Sequence, residues 1–234
     1  MKIVLVQFRS EENSTIHERE CIARDLAITT KDLICYNALQ HDLSGLNVHD
    51  YDAFIFGGSG EYCVSTEDAN INQMRKNIKV VLQKIVEENI PSLFICFGFH
   101  MLSDFLGVIV KKDSDKKEIG TTRIYLTDSG LKDPLFSNFG THILVQQAHN
   151  DSIVNYPEGV IPLAESSRCS QQAYRVKSHI YAMQFHPELQ REDMFKRLSY
   201  YSDEYNTDYS KFKDSKEASK IIHNFKQLVI KKKN

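Results

Sequence analysis

The sequence predicts a single α/β domain, with a mostly parallel central sheet flanked by helices and an amphipathic helix at its C-terminus. Three observations carry that prediction. In the N-terminal half, short apolar runs alternate with longer helical patterns, as parallel strands joined by crossover helices require. From Ile119 to Phe185 the texture shifts to short β-rich pieces between turn-rich stretches, which reads as later strands, some antiparallel, extending the same sheet. No repeat, low-complexity linker or convincing boundary divides the 234 residues, so 1–234 reads as one unit.

The first strand is Ile3 to Phe8. This apolar run is too short, and too soon interrupted by charge, to be a signal peptide or a membrane span. Asp32 to Cys35, Ala53 to Phe56 and Ser92 to Ile95 are the next strands. Between the last two, Ile71, Met74, Ile78, Val81 and Ile85 recur at steps of three and four, which places them on one face of a helix over Thr66 to Glu88. Pro91 marks the return to extended chain. Thr121 to Leu126, His142 to Val145, Gly159 to Leu163, Gln172 to Val176 and Ile180 to Gln184 follow as strands. The polar stretch Tyr200 to Ser215 reads as a loop or broken helix. Ala218, Ile221, Ile222, Phe225, Leu228 and Val229 then mark a final helix that docks on the sheet.

Composition narrows the function. With 29 Lys+Arg against 31 Asp+Glu, no charge excess points to nucleic acid or an acidic membrane. Lys231, Lys232 and Lys233 read as a solvated helix end. The five cysteines are odd in number, scattered and without a CxxC pair, which suits reduced thiols in a cytoplasmic protein and neither a disulfide framework nor a zinc site. The histidines show no metal-ligand spacing: His17, His41, His49 and His223 read as surface residues, and His142 and His179 as strand or loop residues. No metal and no cofactor are expected.

The chemistry concentrates in three places. At Leu93-Phe94-Ile95-Cys96-Phe97-Gly98, an apolar strand runs through Cys-x-Gly into a helix, the layout of a nucleophile elbow with cysteine in place of serine. Cys96 then stands at a helix N-terminus, whose partial positive charge favours a negative sulfur. By itself the segment also fits a buried structural cysteine. Far downstream, Gln184-Phe185-His186-Pro187-Glu188 ends a strand with an imidazole and, past a proline, a carboxylate. These are the base and orienting acceptor that a thiol nucleophile needs. Third, Phe56-Gly57-Gly58-Ser59-Gly60 is a glycine-rich turn after a strand, where backbone N–H groups can approach a substrate. It lacks a P-loop's Lys-Ser/Thr and the full GxGxxG spacing, so an oxyanion-hole role fits it better than phosphate binding.

In this order, the three pieces resemble the class I (triad-type) glutamine amidotransferase family, whose fold is flavodoxin-like. The intervening sequence is similar to the stand-alone, GMP-synthase-like branch: Lys117-Glu118-Ile119-Gly120, Asp133-Pro134-Leu135-Phe136, His149-Asn150-Asp151 and Gln172-Ala173-Tyr174-Arg175. The resemblance covers about residues 40–190 and leaves about 191–234 as a helical extension. It implies Cys96 as nucleophile on the γ-carboxamide of glutamine or a γ-glutamyl compound, His186 as base then acid, and Glu188 as orienting group. It also implies oxyanion donors in the Gly58 and Phe97 amides, and substrate contacts at Gly57, Ser59 and His100. His149 with Asp151 reads as framing the site rather than as catalytic.

Two departures from the family elbow bear on substrate. Phe94 stands where the family has glycine, which predicts an altered elbow or a narrowed pocket. His100 stands where the family has a substrate-holding glutamine, which tilts the reading from free glutamine toward a γ-glutamyl compound. Three functions therefore compete: a stand-alone γ-glutamyl hydrolase or transferase, an ammonia-supplying partner of a separate synthase subunit, and a catalytically weak regulatory relative.

Overall fold

The computed structural model describes residues 1–201 and 208–233. In chain order its elements are β1 (Ile3–Gln7), α1 (Glu12–Asp25), β2 (Leu33–Asn37), β3 (Ala53–Phe56), α2 (Ala69–Glu88), β4 (Ser92–Ile95) and α3 (Phe97–Phe105). Then come β5 (Val110–Lys112), β6 (Glu118–Leu126), β7 (His142–His149), β8 (Asp151–Ile153), β9 (Ile161–Ser166), β10 (Ala173–Val176), β11 (Ile180–Met183), α4 (Arg191–Ser199) and α5 (Lys220–Lys233).

One nine-stranded sheet runs in the order β2-β1-β3-β4-β11-β10-β9-β6-β7. The first five strands pair in parallel, and every pair from β11 onward is antiparallel. The expected change of texture after Ile119 is thus a change of pairing mode within one sheet. The short β5–β8 pair lies outside it and carries no sequence signal. Three residues each of mixed polarity leave no period to read.

Two apolar layers cover the sheet. Ile3, Leu5 and Ile55 pack with Ile22 and Leu26 of the α1 region and with Ile221, Ile222, Phe225 and Val229 of α5. The alternate residues Val4, Val6, Phe54 and Phe56 pack with Ile71, Met74, Ile78, Val81 and Ile85 of α2. Successive strand residues face opposite sides, so each parallel strand must be apolar throughout to be covered on both. Helix α2 begins at Ala69 rather than Thr66, because the Asp68 side chain accepts from the Asn70 N–H and caps it there. It ends at Asn89, in the left-handed region at φ 54°.

Of the polar stretch 200–215, residues 202–207 lie outside the described set, and Tyr209–Lys211 forms a single 3-10 turn. Among the described residues no helix is long and apolar enough to cross a membrane.

Candidate active site

Parallel register builds the site. In the β4–β11 pair Ile95 lies opposite Met183, so Cys96 and Gln184 leave the sheet side by side and His186 follows two residues later. The Cys96 N–H donates to the Met183 carbonyl at 2.8 Å, and the His186 N–H to the Gln146 carbonyl at 2.9 Å. Neighbouring parallel strands thereby deliver a thiol and an imidazole to the carboxyl edge of the sheet, where open α/β sheets place their ligand sites.

Cys96 itself adopts φ 51°, ψ −100°. A non-glycine residue in the left-handed half of φ space is strained, and it persists only where its surroundings hold it. Here the hold is visible on both sides. The Gly98 N–H donates to the Gly57 carbonyl at 3.0 Å, and a Cβ on Gly98 would stand 2.6 Å from the Phe56 carbonyl oxygen. The elbow therefore needs glycine two places after the cysteine.

His186 is buried beside Cys96, and its Nδ1 hydrogen-bonds Glu188 Oε1 at 2.7 Å. Burial alone would lower its pKa. Glu188, and after it Cys96, outweigh that and raise it to about 10, which favours a protonated ring. Gly58 is wedged beside this pair: a Cβ there would lie 2.8 Å from His186 Cε1 and 3.6 Å from Cys96 Cβ.

Not every residue named from the sequence sits as expected. The Gly58 amide, expected as an oxyanion donor, instead donates to Glu18 Oε1 at 3.1 Å. The Glu18 carboxylate comes from helix α1 and packs where a Gly57 side chain would be, with a Gly57 Cβ only 2.5 Å from its Oε1. Phe97 begins α3, so its amide has no carbonyl one turn earlier to bond. The Ser59 hydroxyl accepts from the Glu61 and Tyr62 amides at 3.3 Å each and shapes the turn.

His100 lines the narrow cleft at Cys96 together with Ser59, Tyr62, Phe97 and Asp151. Its Nε2, however, is committed to Gln184 Oε1 at 2.7 Å, and Gln184 Nε2 points at Cys96 Sγ from 4.0 Å. Burial, with His149 adding to it, lowers the His100 pKa to about 4 against the pull of Asp151. A neutral ring whose Nε2 meets a carbonyl oxygen must carry its proton there. His100 thus fixes which way the Gln184 amide faces.

Phe94 does not narrow the cleft. It lies in the α2-side core, stacked on Phe56 with ring centroids 4.3 Å apart and planes 6° apart. Alternation along β4 sends residue 94 to the face opposite residue 95, away from the pocket.

His149 is buried with Nδ1 donating to the Asp151 carbonyl at 2.9 Å, and the Asp151 carboxylate accepts from Ser65 N–H and Oγ at 2.9 and 2.6 Å. Both belong to the cleft's frame. His17, expected at the surface, is buried between α1 and α4, where its Nδ1 accepts from Arg197 Nε at 3.2 Å. With Cys21 and Asp193 it forms a cluster whose ligand atoms lie within 4.8 Å of one another. Arg197 and Arg24 press on that cluster, Arg24 Nη1 bonding Asp193 Oδ2 at 2.7 Å, so its local charge already has cationic partners.

Sequence reading also misses a buried polar group behind Gly57 and Gly58. Arg9 donates to Glu18 Oε1 at 2.8 Å and to Tyr201 Oη at 3.1 Å, and Gln7 Nε2 donates to Glu18 Oε2 at 3.1 Å. Two signals for it exist. Arg9 directly follows a buried strand at the sheet's carboxyl edge, and Arg197 shares a helix face with Met194 and Leu198 at steps of three and four.

Comparison with known proteins agrees with this architecture. The glutamine amidotransferase class I family model matches residues 36–199. The GMP synthase [glutamine-hydrolyzing] of Borreliella burgdorferi is 29% identical over 187 residues, 80% of this chain but 33% of that protein, so the chain matches about a third of its length. A GMP synthase [glutamine-hydrolyzing] subunit of Sulfurisphaera tokodaii is 33% identical over 145 residues, 62% of this chain and 71% of that one. A glutamine amidotransferase from Thermotoga maritima superimposes with a TM-score of 0.73 at 19% identity, covering 99% of this chain and 98% of that one, a likeness of fold. The family model spans more than half of the chain, and its range encloses both the cysteine elbow and the His-Pro-Glu strand end, so this protein belongs to the class I glutamine amidotransferase family.

Proposed function

We propose that the chain cleaves the γ-glutamyl amide bond of glutamine or a γ-glutamyl compound through a thioester on Cys96. The observation that supports this best is the placement of the strained Cys96 and of His186 against the same Gly58, with His186 Nδ1 bonded to Glu188 Oε1 at 2.7 Å. In the proposed cycle, His186 holds the proton given up by the thiol while sulfur attacks the amide carbon, then delivers it to the leaving nitrogen as the C–N bond breaks. Water, deprotonated by His186, attacks the thioester, which releases glutamate and returns the proton to sulfur. Glu188 holds the ring's orientation and balances its charge. The Phe97 amide is the oxyanion donor at the helix start, and the Gly58 amide joins it once its bond to Glu18 is exchanged for the substrate oxygen.

Electrophile labelling tests this reading. An electrophilic glutamine analogue should modify Cys96, and Cys96→Ala should abolish both the labelling and glutamate release. Modification at Cys21, Cys35, Cys63 or Cys169 instead would overturn the assignment.

A second reading, an ammonia-supplying partner of a separate synthase, rests on the relatives that are themselves GMP synthase subunits and on the occupied Gly58 amide. A donor tied to a carboxylate would suit a site that becomes competent when a synthase docks. Under that reading glutamate release from the isolated chain is slow and rises when the synthase is added.

A further inference from the structure

A second recess is lined by His186 and does not include Cys96. Ser59 and Ala148 line both it and the Cys96 cleft, so the two spaces are neighbours. Leu189, Met194 and Leu198 supply apolar wall. Arg9 and Arg197 supply guanidinium groups that are only 1% and 5% exposed.

Hydrogen bonding in this recess is incomplete. Glu18 is the carboxylate that reaches the two arginines: it bonds Arg9 at 2.8 Å, while Arg197 Nη1 stays 4.0 Å away. Arg197 uses Nε on His17, but among the described residues neither its Nη1 nor its Nη2 has a hydrogen-bond acceptor, and Arg9 Nε has none either. Asp193 bonds Arg24, and Glu188 bonds His186 through Oε1 while its Oε2 has no hydrogen-bond partner among the described residues. Glu18 is bonded by Arg9, and the Arg197 guanidinium is left in a buried place with a planar fork of donors that have no acceptor among the described residues. Such a group is costly until an anion reaches it, and the fork's geometry matches a carboxylate.

The position relative to the chemistry says which carboxylate. If Cys96 attacks the γ-carbonyl carbon and His186 protonates the leaving nitrogen, whatever that nitrogen carries lies on the imidazole side, where the recess is. Resting on the proposed cycle, we infer that the recess is a leaving-group subsite in which Arg197, supported by Arg9, pairs with a carboxylate on the departing amine. The substrates this favours are γ-glutamyl amino acids, cleaved to glutamate and a free amino acid, over glutamine. Free glutamine would leave the arginine fork unpaired.

The test uses the full chain carrying Cys96→Ala, which binds without turnover, and two ligands differing in one group: γ-glutamylglycine and γ-glutamylmethylamide. Calorimetry should show the carboxylate-bearing compound binding about ten- to a hundredfold more tightly, the range of one charge-assisted hydrogen-bonded pair. Adding Arg197→Met should collapse that preference toward unity, and Arg197→Lys, which keeps charge but loses the fork, should leave it partial. Urea unfolding of each variant reports its fold separately. Equal affinity for the two ligands in the parent, or a preference that persists in Arg197→Met, overturns the subsite. Arg197-dependent binding of acetate or phosphate alone, without preference for γ-glutamylglycine, also overturns it in favour of a free-anion site. Labelling of Cys96 in the wild-type chain is scored independently, so a failed nucleophile and a failed subsite give different results.

Discussion

At the scale of single residues, two buried histidines titrate in opposite directions. His186 has its pKa raised to about 10. Its ion-pair contribution to stability is therefore fully present below its ordinary pKa of about 6.5 and is lost as pH rises through about 10. Glu188→Gln removes the main source of that rise, so imidazole NMR should find the His186 pKa well below its wild-type value and the alkaline loss of stability reduced. An unchanged pKa would mean that the carboxylate does not act on the ring. His100 behaves conversely, with its pKa lowered to about 4. The unfolded chain binds a proton there that the folded chain refuses, so stability falls as pH drops from about 6.5 to about 4. His100→Gln should flatten that acid limb in urea titrations run across the window, while a retained slope would place its origin elsewhere.

Gly58 belongs to the same scale. Any side chain there must displace His186, given the 2.8 Å approach, so Gly58→Ala should slow electrophile labelling of Cys96 by about a hundredfold, or about 3 kcal/mol of lost positioning. Labelling at the wild-type rate would show that the ring can shift without consequence. Cys96, His186 and Glu188 can be named from sequence because local spacing around a strand end largely dictates where such side chains go. Glu18, Arg9 and Arg197 cannot be placed beside them, because only the packing of α1 and α4 over the glycine turn brings them there.

At the scale of elements, the elbow depends on what β4 presents to each face. Phe94 is the bulky residue that sequence reading sets against the pocket, but strand alternation turns it into the α2-side core against Phe56. Phe94→Ala should therefore act as a core truncation, lowering unfolding free energy by about 3–5 kcal/mol in denaturant titration. An increase in pocket size without loss of stability would contradict that placement. The period-3.6 pattern of α2 and the apolar runs of β1, β3 and β4 are readable because each is covered on its full apolar face. Strands β5 and β8 are not, since a three-residue ladder makes few demands on side-chain pattern.

Over the whole molecule, α5 covers one sheet face together with α1, and its docking is legible from apolar spacing alone. Ile221, Ile222 and Phe225 are buried against residues from β1, β3 and α1. Phe225→Ala should cost about 3–5 kcal/mol, and removal of residues 220–234 should expose enough apolar surface to leave the chain aggregated at working concentration. A soluble truncated chain with wild-type unfolding midpoint would mean that the helix is an accessory. The division of the sheet into a parallel and an antiparallel half is only partly legible, because alternation reports which face is buried and not which way a neighbour runs.

That division has a consequence for how the protein comes into being. Strand β11 is the seam: it joins β4 of the parallel half to β10 of the antiparallel half, and among the described residues it is the last strand in chain order. During synthesis the cysteine elbow is made long before its neighbour, and the imidazole arrives only when the seam is inserted. A nascent or truncated chain therefore holds a thiol without its partner, and the site is assembled by the same event that completes the sheet.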